Sequence, residues 1–199
     1  MSAHGSPTLA GRRVEALVIG ASAGGIDALR RILPRLPSPL GFPVVALLHL
    51  PEDRDSRLAD VFQQHLPVPV RQADDKARLE AGTVYFAPPG YHLSIESDRS
   101  FSLSQEDPVH FSRPSIDVLM GSAADAYGAR LAAILLTGAS ADGAAGMAAI
   151  GAAGGLTVVQ DPLEAEIKTM PAAAIKLRAP SLVLGLDAIG ELLSEMEAP

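Results

Sequence analysis

Three apolar runs in this chain end in residues able to attack a carbonyl or move a proton. Val14-Glu15-Ala16-Leu17-Val18-Ile19 leads into Gly20-Ala21-Ser22-Ala23-Gly24-Gly25, Val44 to Leu48 leads into His49-Leu50-Pro51, and Leu131 to Leu136 leads into Thr137-Gly138-Ala139-Ser140-Ala141-Asp142-Gly143. Ser22, His49 and Asp142 are the inventory of a nucleophile, a general base and a carboxylate that fixes the imidazole tautomer. Ser22 also sits in a G-x-S-x-G pattern, whose small neighbours permit a sharp strand-to-helix turn, and the following helix aims its amides and dipole at that turn. The chain order serine, histidine, acid differs from the serine, acid, histidine order of α/β-hydrolases. Gly138-Ala139-Ser140-Ala141 repeats Gly20-Ala21-Ser22-Ala23, but Asp142 stands where the elbow needs a small residue, so Ser22 is the better nucleophile.

Each residue has a plainer reading. Ser22 and Asp142 could each cap the helix that follows, since both types are favoured N-caps, and His49 could be a satisfied histidine at a strand end. The coincidence of all three at strand ends favours chemistry. The glycine turn also imitates a dinucleotide fingerprint, but Ser22 replaces the middle glycine and His49 stands where an acidic ribose ligand is expected. A phosphate loop fails too, because Ile26-Asp27 occupies the Lys-Ser/Thr positions.

These residues need a frame that gathers strand ends. Short apolar strands alternate with alanine-rich helical segments, the pattern of a doubly wound, mainly parallel α/β sheet flanked by helices. Strands are predicted over Val14–Ile19, Val44–Leu50, Thr83–Ala87, Leu131–Thr137, Leu156–Gln160 and Ser181–Leu184. Helices are predicted over about Ile26–Leu33, Arg57–Gln64, Ser115–Tyr127, Gly143–Ala153, Pro171–Leu177 and Asp187–Met196. Gly90 to Gln105 alternates around Glu96-Ser97-Asp98-Arg99 and reads as an antiparallel β-hairpin appended to the sheet. Arg30, Arg31 and Arg35 read as one solvated helix face. In such a sheet, ligands collect outside the carboxyl ends of the strands.

Composition limits the alternatives. The 199 residues, 48% hydrophobic and 20% charged, fit one globular domain. The expected organisation is a flexible segment over 1–13 and one catalytic domain over 14–196. No apolar run approaches membrane-spanning length and the amino terminus lacks a signal-peptide core, so a cytoplasmic protein without membrane insertion is expected. With no cysteine there is no disulfide or thiolate zinc site, and the five histidines lack paired ligand spacing, so no metal and no cofactor are expected. The net charge of −7 without a basic stripe argues against a nucleic-acid surface.

The Gly20 to Gly25 turn, His49-Leu50-Pro51, Pro114-Ser115-Ile116-Asp117, Leu136-Thr137-Gly138 through Asp142-Gly143, Gly154-Gly155 with Gln160-Asp161, and Met170-Pro171-Ala172-Ala173-Ala174-Ile175 together resemble the catalytic domain of the CheB-type chemotaxis protein-glutamate methylesterases. The resemblance covers roughly Val14 to Leu193. It implies a serine esterase that hydrolyses glutamate methyl esters on the cytoplasmic signalling helices of chemoreceptors, releases methanol, and also deamidates receptor glutamines. By similarity, Ser22 matches the nucleophile, His49 the base and Asp142 the orienting carboxylate; the Ala23 amide would serve the oxyanion. Three departures accompany the match. Ala23 replaces the usual threonine, Gly138-Ala139-Ser140 replaces Gly-Met-Gly, and Glu166-Ile167-Lys168-Thr169 replaces an aromatic-glycine sequence before Met170-Pro171. Many relatives carry an amino-terminal receiver domain, for which the segment before Val14 is too short. Two readings of other classes remain: a non-catalytic interaction module that kept the fold, and a nucleotide-binding oxidoreductase.

Overall fold

The computed structural model describes residues 13–49 and 57–196. Leu50 and Pro51, the end of the predicted second strand, and nearly all of the predicted flexible segment lie outside the described residues. The chain forms β1 (Ala16–Ala21), α1 (Gly25–Ile32), β2 (Val44–Leu48), α2 (Leu58–Gln63), β3 (Val70–Gln72), β4 (Val84–Phe86), β5 (His92–Ile95), β6 (Phe101–Ser104), α3 (Ile116–Tyr127), β7 (Leu131–Leu135), α4 (Ala144–Ala152), β8 (Leu156–Gln160), α5 (Thr169–Leu177), β9 (Leu182–Leu184) and α6 (Leu186–Ser194). Seven strands make one sheet in the order β3-β4-β2-β1-β7-β8-β9, and every pairing in it is parallel.

β1, β2, β7 and β8 are buried along their whole length. This is why they read as unbroken apolar runs: both faces of a parallel sheet are covered by crossover helices. Alternate residues serve two cores. Leu17, Ile19, Val44, Ala46 and Ile134 pack beneath α1, α2 and α6 through Leu29, Ile32, Phe62, Ile189 and Leu193. Val18, Val45, Leu47, Ala133 and Leu135 face α3, α4 and α5 through Leu119, Met120, Met147, Ile150 and Met170.

The hairpin appears where alternation predicts it, with His92 opposite Ser104 and Ile95 opposite Phe101. It forms its own two-stranded sheet. Its apolar face, Leu93, Ile95 and Phe101, packs into the core beside α3, and Ile95 N donates to Ser122 Oγ at 3.0 Å. The sequence pattern predicts no strand at β3. It is a three-residue edge strand of which only Val70 is buried. Arg30, Arg31 and Arg35 are all exposed; Arg31 pairs with Asp187 of α6 at 2.9 Å, and Arg35, in the turn after α1, lies against Gly190.

Strand order reverses at β1. The chain builds outward through β2 and β4 on one side and returns to place β7 on the other. The crevice above the carboxyl ends of β1 and β7 is thus the expected ligand position of this fold.

Candidate active site

Ser22 follows the last residue of β1, and the chain turns at once into α1. Gly24, the residue before that helix, has φ 78°, a left-handed value that favours glycine. No side chain caps α1. Capping therefore does not account for Ser22. The turn is pinned from behind by the segment that follows β7: Ser22 N donates to Thr137 O at 3.0 Å, and Thr137 Oγ1 donates to Ala23 O at 2.9 Å. Gly138 is required by close approach, because a Cβ there would lie 2.6 Å from Met170 Cε and 3.0 Å from Ser22 Cβ. Thr137 is held in turn by Gln160, whose buried Oε1 accepts from its amide at 2.8 Å.

His49 follows the last residue of β2, and its amide continues the ladder to Ala21 O at 3.2 Å. Its Nε2 donates to Asp142 Oδ2 at 2.8 Å. That leaves Nδ1 as the ring atom with a lone pair. Ser22 and His49 line one cleft of about 450 Å³, together with Ala23, Gly24, Leu48 and Glu166. Ser22 Oγ makes no hydrogen bond among the described residues. Bonds of this kind are often formed only in the substrate complex.

Asp142 is fully buried. It precedes α4 yet does not cap it: the residue before that helix is Gly143, with φ 97° and no capping side chain. Its carboxylate instead receives the amino terminus of α3. Oδ1 accepts from Ser115 Oγ at 2.7 Å and Asp117 N at 2.9 Å, while Oδ2 accepts from Ile116 N at 2.7 Å and from His49. Burial pushes this carboxyl up, but the bonds from His49, the Asp117 and Ile116 amides and the Ser115 hydroxyl outweigh it. The net effect holds Asp142 below the usual carboxylate range.

α3 returns the arrangement. Asp117 Oδ1 accepts from Gly143 N at 2.9 Å and Gly146 N at 2.7 Å, so each helix is capped by an acid belonging to the other's start. Burial pushes Asp117 above the usual carboxylate range, the Asp142 carboxylate adds to this, and the glycine amides and His110 oppose it. His110 Nε2 lies 3.4 Å from Asp117 Oδ2. The sequence pattern of Pro114-Ser115-Ile116-Asp117 shows no such role for Ser115 and Asp117, because their partners lie 25 to 29 residues away.

The other imidazole near α3 is committed elsewhere. His92, buried, donates from Nε2 to Asp107 O at 3.1 Å and accepts Ser115 N at Nδ1 at 3.2 Å. Neither of its ring nitrogens is left to act as a base. Among the described residues no cluster of His, Asp and Glu could hold a metal ion.

Comparison with known proteins shows the family and the fold. The family model described as CheB methylesterase matches residues 17–193. The chain belongs to the CheB methylesterase family. A Leptospira interrogans protein provisionally named protein-glutamate methylesterase/protein-glutamine glutaminase is 45% identical over 183 residues, covering 92% of this chain and 95% of its own. Protein-glutamate methylesterase/protein-glutamine glutaminase 1 of Carboxydothermus hydrogenoformans is 40% identical over 181 residues, 88% of this chain and 53% of its own. The crystal structure of the Thermotoga maritima CheB methylesterase catalytic domain superposes with a TM-score of 0.87 at 30% identity, covering 92% of this chain and 98% of that one. The doubly wound fold with its hairpin is that of the CheB catalytic domain, and the nucleotide-binding reading is not favoured.

Proposed function

We propose that this chain is a serine esterase that hydrolyses the γ-methyl esters of glutamates on the cytoplasmic signalling helices of chemoreceptors, with Ser22 as nucleophile, His49 as base and Asp142 as orienting carboxylate. The single observation that carries this reading is the His49 Nε2 bond to a buried, ionised Asp142, with the free Nδ1 and Ser22 sharing one cleft.

The steps follow from that geometry. Ser22 Oγ attacks the ester carbonyl while His49 Nδ1 takes its proton, and Asp142 offsets the imidazolium charge. The carbonyl oxygen becomes an anion. Ala23 N, which donates to no other group among the described residues and lies two residues before α1, stabilises it. Collapse returns the proton from His49 to the methoxy oxygen and methanol leaves. Water then attacks the acyl-enzyme by the same proton route, and the glutamate carboxylate is released with Ser22 restored. A glutamine side chain follows the same path with ammonia leaving, which supports deamidation as a second activity.

In this reading the catalytic domain spans 14–196 and works in the cytoplasm, where receptor signalling helices lie. Among the described residues no helix is long and apolar enough to cross a membrane. The test is methanol release from a methylated receptor signalling domain by the full chain and by Ser22→Ala. Turnover by the wild type alone is expected; equal release by the variant would refute Ser22, and release by neither would favour a non-catalytic interaction module.

A further inference from the structure

Two acidic side chains line the cleft beside Ser22, Glu166 and Asp27, and the reaction above uses neither. Glu166 lies on the loop between β8 and α5, and its exposed side chain lies against Gly24 of the nucleophile turn. A Cβ built at Gly24 would meet Glu166 Oε2 at 2.7 Å and its Cβ and Cδ at 3.0 Å. The bare backbone of Gly24 is therefore what admits Glu166 to the cleft. Its carboxylate has no hydrogen bond or ion pair among the described residues, and no lysine or arginine is among those lining the cleft. Asp27 also lines it, but lies beside Arg30 at 3.9 Å on the exposed face of α1.

We propose that Glu166 is a specificity determinant of this site: it favours glutamyl esters flanked by cationic residues, disfavours those flanked by carboxylates, and drives out the anionic product. The proposal rests on the esterase reading. Ester and water give a carboxylate, methanol and a proton, so the substrate side chain is neutral and the product side chain is negative. Glu166 exerts little force on the first and repels the second. A neutral glutamine becoming glutamate gives the same asymmetry. Because Glu166 is exposed, the force is modest and salt-sensitive.

The experiment uses three peptides with a central glutamate γ-methyl ester, flanked on both sides by lysine, serine or glutamate. For the wild type, kcat/KM should fall in that order, with about two- to fivefold per step at low salt, and converge in high salt. Glu166→Gln, which keeps the packing on Gly24, should flatten the series; Glu166→Lys should invert it. Inhibition by a free glutamate-containing product peptide should strengthen in Glu166→Gln. Glu191→Gln on the exposed face of α6 changes net charge equally and should leave the series as in wild type. An unchanged series in Glu166→Gln and Glu166→Lys would overturn the proposal. Binding of the same peptides with central glutamine to Ser22→Ala, with and without Glu166→Gln, reads the ordering without turnover. If no peptide is hydrolysed the esterase reading fails on its own, while equal affinities across the series would sink the role of Glu166.

Discussion

The two ends of the proposed triad are built on opposite plans. Around Asp142 every carboxylate oxygen has two donors, the residue is fully buried, and two helices are fastened to each other through it and Asp117. Around Ser22 the hydroxyl has no partner among the described residues, and the turn opens into a cleft. One end is fixed before substrate arrives. The other is left for the substrate to complete. A reaction that develops charge on imidazole benefits from a preorganised carboxylate, because no reorganisation is needed when the proton moves. A nucleophile must remain accessible, so rigidity there belongs to the backbone of the turn rather than to the hydroxyl.

The contrast predicts where activity and stability separate. Ser22→Ala should remove about six orders of magnitude in kcat on a methylated receptor, as loss of a triad nucleophile does when the members act as a unit. It should leave the melting temperature unchanged, since no described hydrogen bond of the hydroxyl is lost. A large drop in melting temperature would mean that Ser22 is structural after all.

Asp142→Asn should cost about four orders of magnitude in activity and, unlike Ser22→Ala, destabilise the fold. Each oxygen of Asp142 accepts two bonds, so either orientation of an amide sets an NH2 group against existing donors. If that NH2 faces His49 it demands the other tautomer, and Nδ1 loses the lone pair that would take the Ser22 proton. The sign of the pH dependence follows from the depressed carboxyl. Its contribution to stability is present above the ordinary carboxylate range, near about pH 4, and is lost as pH falls through the lower folded value. Urea titrations of wild type and Asp142→Asn should therefore differ most near neutrality and converge in acid; a gap independent of pH would contradict the assignment.

Asp117 sharpens the comparison from the other side of the clasp. Its Oδ1 alone takes both glycine amides, so Asp117→Asn can keep the cap with its oxygen inward. Because the folded carboxyl is raised, the wild-type residue favours folding below the ordinary carboxylate range and this is lost as pH rises through the folded value. Asp117→Asn should thus be at least as stable as wild type at neutral pH, with the difference vanishing in acid. Asp117→Ala, which leaves the two amides without their acceptor, should lose stability and about a hundredfold in kcat by displacing Asp142. Loss of kcat in Asp117→Ala with KM unchanged and recovery in Asp117→Asn would mark it as a positioning residue. Equal loss in both would make the charge, not the cap, the important property.

The same contrast explains what could be read from the residues alone. The nucleophile turn is local: an apolar strand, small residues and a helix start are consecutive, so Ser22 and the strand end at His49 are visible in the chain. The hairpin is visible for the same reason, since alternation around a polar turn is a local pattern. β3 is not. Val70-Arg71-Gln72 is short, sits between Pro69 and a polar run, and has one buried face at the sheet edge, leaving no periodicity to detect. Likewise nothing in the spacing tells that Asp142 caps α3 rather than the helix it precedes. That choice depends on α3 and α4 packing side by side, which the chain expresses only through contacts distant in sequence.

The smallest effect should come from Ser140, the second serine of the Asp142 loop. Its hydroxyl accepts Asp142 N at 3.0 Å, a turn closed on the loop's own backbone, and it is not among the donors to the carboxylate. Ser140→Ala therefore removes one hydrogen bond at a half-buried position, a change of about 1 kcal/mol, while Ser115, Ile116, Asp117 and His49 still fix the carboxylate. Activity should fall by about fivefold or less, with KM unaltered. Stopped-flow or steady-state hydrolysis of a methylated receptor by this variant, alongside Ser22→Ala, decides between the two serines. A loss for Ser140→Ala comparable to that of Ser22→Ala would mean that the Asp142 end is not rigid without the loop turn, and the division into a fixed end and an open end would have to be abandoned.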